Sequence, residues 1–176
     1  INKLKKTPIS FSDMSISLKK AIGLPGKEII DIPVLLKLSP DIKDSSVEKI
    51  SEIIINQKIS GVILTNTSNI NRSSLKSSNK NQVGGLSGKP IRELSTRLIK
   101  KFYKELKGKA YIIGVGGVDS GKSAFEKITA GANAVQLYTG MIYKGPGIVK
   151  AIKKELIEIL ETEGIKNIKD AVGKDV

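Results

Sequence analysis

The chain has no histidine and no cysteine. Any chemistry it performs falls to lysine, to hydroxyls and amides, and to bare backbone. Two glycine-rich stretches stand out, each at the end of a short apolar run: Gly114-Val115-Gly116-Gly117 and Leu137-Tyr138-Thr139-Gly140. Backbone N–H groups in such turns are fixed donors with no charge to desolvate, which suits a phosphate. Glycines that serve only a tight turn look the same at one site; two such stretches in succession favour a cradle. Lys37 lies inside the apolar run Val34-Leu35-Leu36-Lys37-Leu38. A lysine there is costly unless paired or used. It is either a snorkelling strand-end residue or a fixed cation aimed at an anionic ligand. Thr65-Asn66-Thr67 sets three hydrogen-bonding side chains in a row. They can present donors and acceptors to a ligand, or they can form a turn and helix cap.

Two further patterns use glycine. Gly84-Gly85-Leu86-Ser87-Gly88-Lys89-Pro90 lets backbone come close to a ligand ahead of a helix that opens on Pro90. Gly116-x-x-x-x-Gly121-Lys122-Ser123 satisfies the nucleotide-binding P-loop pattern literally. It is the competing account of the same glycines.

These residues need elements to hold them. Apolar runs at 34–38, 61–65, 111–115 and 134–138 have strand length, and helical patterns cover 45–57, 90–106, 120–130 and 147–163. In the second helix Leu94, Leu98, Phe102 and Leu106 recur every four residues. Residues 68–82 are polar and predict a long loop. Residues 1–32 are expected to be a connector or surface insertion, ahead of a regular domain at 33–176. Strand and helix alternate four times, which predicts an α/β fold with a covered parallel sheet. An open doubly wound sheet and part of an eight-stranded β/α barrel both fit. Either one places its active site at the carboxyl ends of the strands, where the chemistry-bearing residues lie.

Bulk composition narrows the function classes. The 30 basic and 17 acidic residues give a net charge of +13. Arginine occurs only at 72, 92 and 97, and aromatics make up 4%. Nucleic-acid readers rely on arginine forks and aromatic stacking, so no nucleic-acid partner is expected and the lysines belong to solvated helix faces. Lacking Cys and His, the chain has no disulfides, no Cys/His metal site and no imidazole catalysis. No metal is expected.

The segments VLLKLSPD (34–41), GVILTNTS (61–68), GGLSGKPIRELS (84–95), IIGVGGVDSG (112–121) and AVQLYT (134–139) resemble dihydroorotate dehydrogenase of class 2, the membrane-associated, quinone-linked type. The resemblance runs from about residue 33 to the end. It implies the C-terminal half, strands five to eight, of a (β/α)8 TIM barrel. The implied activity is FMN-dependent oxidation of dihydroorotate to orotate in pyrimidine synthesis, with electrons passing to quinone. Matching motif to motif, Lys37 is expected to contact the flavin ring, where a cation favours added negative charge. Thr65 and Gly88 are expected to help hold FMN. Gly117, Tyr138 and Thr139 would grip its phosphate, with Gly116 shaping the turn. Asn66 and Thr67 would bind substrate. On this account Gly121-Lys122-Ser123 simply starts a helix.

The family enzyme is about twice this length, and the sequence opens on Ile1 rather than Met. The chain is therefore expected to be a fragment, or one of two chains, and inactive alone. The catalytic serine base, the quinone tunnel and the membrane-associating helices are expected in the complementary N-terminal half. In a eukaryote the resemblance implies the mitochondrial inner membrane. A different phosphate-binding β/α barrel, such as a flavin oxidase or a phosphosugar isomerase, is the alternative.

Overall fold

Among the described residues, four strands form one parallel sheet in the order β1-β2-β3-β4: Leu35–Leu38, Gly61–Leu64, Tyr111–Val115 and Ala134–Gln136. The computed structural model describes residues 33–70, 72–73 and 75–176. The expectation for residues 1–32 lies outside the described residues. Helices α1 (Val47–Asn56), α2 (Arg92–Leu106), α3 (Gly121–Thr129), α4 (Thr139–Lys144) and α5 (Ile148–Thr162) complete the repeat. Neighbouring strands are also neighbours in sequence, and each crossover carries a helix. A doubly wound sheet reverses its strand order at a switch point. This one does not, so the sheet is an arc of singly wound β/α units.

Strand alternation decides which side faces the helices. Leu36, Leu38, Val62, Leu64 and Ile112 pack with Val47 and Ile54 of α1 and with Leu98, Ile99, Phe102 and Leu106 of α2. The four-residue spacing in α2 thus buries one stripe; only Leu94, near its start, is half-buried. Phe102 is fully buried at the centre of this cluster, and its truncation to alanine should cost about 3–5 kcal/mol. The alternate residues Leu35, Lys37, Ile63, Ile113 and Val115 lie on the opposite, half-exposed face. A smaller cluster of Val118, Ala124, Ile148 and Ile152 packs α3 against α5.

Several boundaries differ from the sequence expectation for physical reasons. The run at 134–138 is strand only to Gln136, because Tyr138 turns the chain and Thr139 opens α4, a short helix that the apolar pattern hid. Pro90 lies in a 3-10 turn, Lys89–Ile91, rather than in the following α-helix. The polar loop at 68–82 contains a 3-10 turn at Ser78–Asn81 and is closed by an antiparallel bridge between Ser68 and Leu86. The close of the chain is another 3-10 turn, Ile168–Ala171.

Candidate functional site

A cleft of about 660 Å³ opens at the carboxyl ends of the strands. Its wall includes Lys37 from β1, Thr65, Asn66 and Thr67 after β2, Gly88 ahead of α2, Gly116 and Gly117 after β3, and Tyr138 and Thr139 after β4. Every residue singled out from the sequence for the site thus meets around one space, although they span 37 to 139.

The segment after β2 is tied to both neighbouring strands. Thr65 N–H donates to the Val115 carbonyl at 2.9 Å, and Asn66 N–H donates to the Leu38 carbonyl at 2.7 Å. Asn66 Oδ1 accepts from Thr67 N–H at 2.9 Å, which leaves its NH2 group free to donate outward. Asp41 locks the next turn. Its Oδ1 accepts from Ser68 Oγ at 2.6 Å and its Oδ2 accepts from Asn69 N–H at 2.7 Å. Thr65 Oγ1 is buried and has no hydrogen-bond partner. Buried hydroxyls are normally satisfied, so this one is a donor and acceptor held in reserve beside the cleft.

The glycines divide by role. Gly88 and Thr139 meet across the cleft: a Cβ at Gly88 would lie 2.9 Å from Thr139 Cγ2. Thr139 Oγ1 also donates to Ser87 Oγ at 2.9 Å, so Ser87 joins the wall although only its glycine neighbours stood out in sequence. Gly85 is pressed onto Thr67 and has no room for a Cβ, so its role is to seat that side chain. Gly114 does not belong to the tip. It lies inside β3 on the helix side, where a Cβ would meet Ile99, Ala132 and Lys127.

Helix α2 turns the β3 tip toward the cleft. Arg92 Nε donates to the Gly117 carbonyl at 2.7 Å, and Ser95 Oγ donates to the Val115 carbonyl at 2.6 Å. In a trans peptide the N–H points opposite its carbonyl. The Val115 carbonyl also accepts the Thr65 N–H; Gly116 and Val118, whose N–H groups share peptides with these two carbonyls, both line the cleft. Arg92 also pairs with Asp119 at 2.6 Å.

The P-loop account fails at the start of α3. Ser120 and Ser123 form a reciprocal capping box, and the Glu155 carboxylate accepts the Gly121 N–H. The first amides of α3 are therefore occupied by the protein's own oxygens, one of them charged, where a nucleotide phosphate would have to sit. Lys127, on the buried face of α3, escaped the sequence reading. Its spacing from Ala124 and Ile128 was the available signal. It is fully buried, and burial together with the nearby Arg92 pushes its pKa down to about 8.

The model of the dihydroorotate dehydrogenase family matches residues 10–160. The chain belongs to the dihydroorotate dehydrogenase family. Dihydroorotate dehydrogenase (quinone) of Trichodesmium erythraeum (strain IMS101) is 44% identical over 166 residues, covering 89% of this chain and 44% of that protein. Its mitochondrial counterpart in Mus musculus is 43% identical over 142 residues, covering 81% and 36%. A crystal structure of the ligand-free enzyme from Eimeria tenella superposes with a TM-score of 0.81 at 32% identity, covering 94% of this chain and 51% of that one. The chain therefore spans less than half the length of these curated relatives. The quinone-type names bear out the class 2 resemblance. The structural match bears out the fold: the four-stranded arc matches part of a dihydroorotate dehydrogenase β/α barrel.

Proposed function

We propose that this chain is the cofactor-holding part of an FMN-dependent dihydroorotate dehydrogenase, which oxidises dihydroorotate to orotate in pyrimidine synthesis and passes electrons to quinone. The observation that carries the reading is the convergence of four strand tips on one cleft, each bringing its family motif residues.

The residues present suit FMN. One cation, Lys37, and no carboxylate line the cleft among the described residues, which favours an anionic ligand. The orphaned Thr65 hydroxyl awaits a polar partner. The β3 tip offers backbone N–H groups, the donors that hold phosphate without a desolvation cost of their own. In this reading Gly117, Tyr138 and Thr139 grip the phosphate, and Gly116 sets the turn. Thr65 and Gly88 hold the cofactor, and Lys37 lies against the flavin ring. Bound there, FMN would take the hydride released by the substrate and deliver the electrons to quinone. Asn66 and Thr67, locked by Leu38 and Asp41, orient the substrate's pyrimidine and carboxylate edges. Fixing these groups in advance removes the entropic cost of aligning them.

The proton-abstracting serine belongs to the complementary N-terminal half, which would also pair the edges that β1 and β4 leave open among the described residues. The quinone site and the membrane contact go with that half as well. Among the described residues no helix is long and apolar enough to cross a membrane. In a eukaryote we assign the assembled enzyme to the mitochondrion, as the name of the mouse relative suggests, and within it to the inner membrane.

The test is flavin absorbance of the purified chain, alone and with the complementary half. Mixing should give stoichiometric FMN and quinone reduction that depends on dihydroorotate. Assembled halves that retain no flavin would overturn the reading. Turnover by this chain alone would overturn the division of labour.

A further inference from the structure

We infer that Lys127, buried behind the β3 tip, is the fixed counter-charge of the phosphate cradle and a positioning residue that acts through Ser95 on the Val115–Gly116 peptide. The inference rests on the FMN reading and extends it to a side chain that does not line the cleft.

Lys127 Nζ donates to Thr96 Oγ1 at 2.9 Å, to Ser95 Oγ at 3.2 Å and to the Arg92 carbonyl at 3.3 Å. All three acceptors are neutral. No carboxylate forms an ion pair with Lys127 among the described residues, whereas Arg92 is paired with Asp119. A fully buried lysine is costly unless its charge is answered. The hydrogen bonds lead to where the answer lies. Ser95 Oγ accepts from Lys127 and donates to the Val115 carbonyl at 2.6 Å. That carbonyl shares its peptide with the N–H of Gly116, a residue of the cleft wall. Positive charge at the far end polarises the whole chain and strengthens the last donor. Gly114 completes the arrangement. A Cβ there would lie 3.1 Å from Lys127 Cδ, so the missing side chain makes room for the lysine under the tip.

The charged groups facing Lys127 are few. Arg92 on α2 repels it and Glu126 on α3 attracts it; Asp119, at the end of the tip, is taken by Arg92. Arginine and ionised carboxylates keep their charge between pH 7 and pH 9.5. Lys127, pushed down to about 8, loses its own within that range. The phosphate, with a second pKa of about 6, is a dianion throughout.

The experiment uses the assembled barrel freed of flavin, titrated with FMN and with riboflavin, which lacks the phosphate. Flavin fluorescence quenching is followed at about pH 7 and about pH 9.5, on either side of the ammonium's titration. Lys127→Met keeps the side-chain length and removes the charge. It should weaken FMN binding about tenfold at neutral pH, within the usual range of coupling between non-contacting sites, and leave riboflavin binding unchanged. Wild-type affinity for FMN should fall as pH rises, and the variant's should fall less. Ser95→Ala, which breaks the relay while leaving Lys127 in place, should also weaken FMN selectively. The melting temperature of the flavin-free Lys127→Met barrel should not drop, because replacing a buried charge by an apolar chain of similar size is often neutral or stabilising. Equal FMN affinity in wild type and variant, or parallel loss of FMN and riboflavin, would overturn the inference. Wild-type protein that binds FMN no better than riboflavin would instead overturn the phosphate site itself.

Discussion

Arg92 Nε reaches the carbonyl oxygen of Gly117 at 2.7 Å across 25 residues of sequence, while its Nη2 meets Asp119 Oδ1 at 2.6 Å. One guanidinium at the start of α2 therefore clamps both sides of the turn after β3. Arg92→Ala strips a partner from each acceptor, and a part-buried acceptor left unpaired costs about 1–3 kcal/mol. Chemical denaturation should show that loss, and the purified barrel should carry less FMN. Arg92→Lys should recover only part of it, since an ammonium lacks the fork that spans both acceptors.

Gly117→Ala probes the same contact from the other side. Gly117 has φ +76, and an added Cβ would lie 2.6 Å from Arg92 Cβ and 3.0 Å from its Cα. The left-handed backbone alone costs an alanine about 1–2 kcal/mol, and the clash with the helix adds to it. Gly145→Ala is the control: its φ is +70, but an added Cβ meets nothing within 4 Å. Both variants should lose stability. Only Gly117→Ala should also lose FMN, as measured by flavin content after gel filtration.

Among the described residues, Asp41 holds the turn that follows Asn66 and Thr67 through Ser68 and Asn69. Asp41→Ala frees the turn that follows Asn66 and Thr67. In the assembled enzyme KM for dihydroorotate should rise several-fold while FMN content stays the same. An unchanged KM would show that the Leu38–Asn66 hydrogen bond holds the loop without help.

Lys37 is the cation on the cleft wall. Lys37→Ala should slow flavin reduction by dihydroorotate sharply, read by stopped-flow loss of flavin absorbance. A rate equal to wild type would remove Lys37 from the site.

Burial of Lys127 also has a signature in the flavin-free barrel. Its folded pKa of about 8 lies below the unfolded value, so between the two the unfolded chain binds more protons. The cost of burying the ammonium is present in full below about pH 8, and it is relieved as pH rises toward the unfolded lysine value of about 10.4. Integrated over that window the effect is on the order of 3 kcal/mol. Unfolding free energy measured in denaturant should climb between about pH 8 and pH 10. Lys127→Met should flatten that climb.

Local pattern was enough to read much of this protein. The β/α alternation, the buried stripe through Leu98, Phe102 and Leu106, and the motifs from Lys37 to Thr139 all depend on residues a few positions apart. Strand period, helix period and glycine turns are properties of such short stretches. The choice between an open sheet and a barrel arc was not local. It depended on strand order, which emerges when residues 38 and 66, or 65 and 115, hydrogen-bond across crossovers. The P-loop pattern had the same weakness: its spacing is satisfied, but Glu155, 34 residues on, fills the site. Asp41, Ser87, Arg92, Ser95 and Lys127 matter through partners remote in sequence. Lys127 shows the difference most plainly. In sequence it is one of many lysines on a helix; in the fold it is a buried charge behind the turn after β3. Which lysine faces water and which faces the turn depends on how α3 lies against α2, and only tertiary packing decides that.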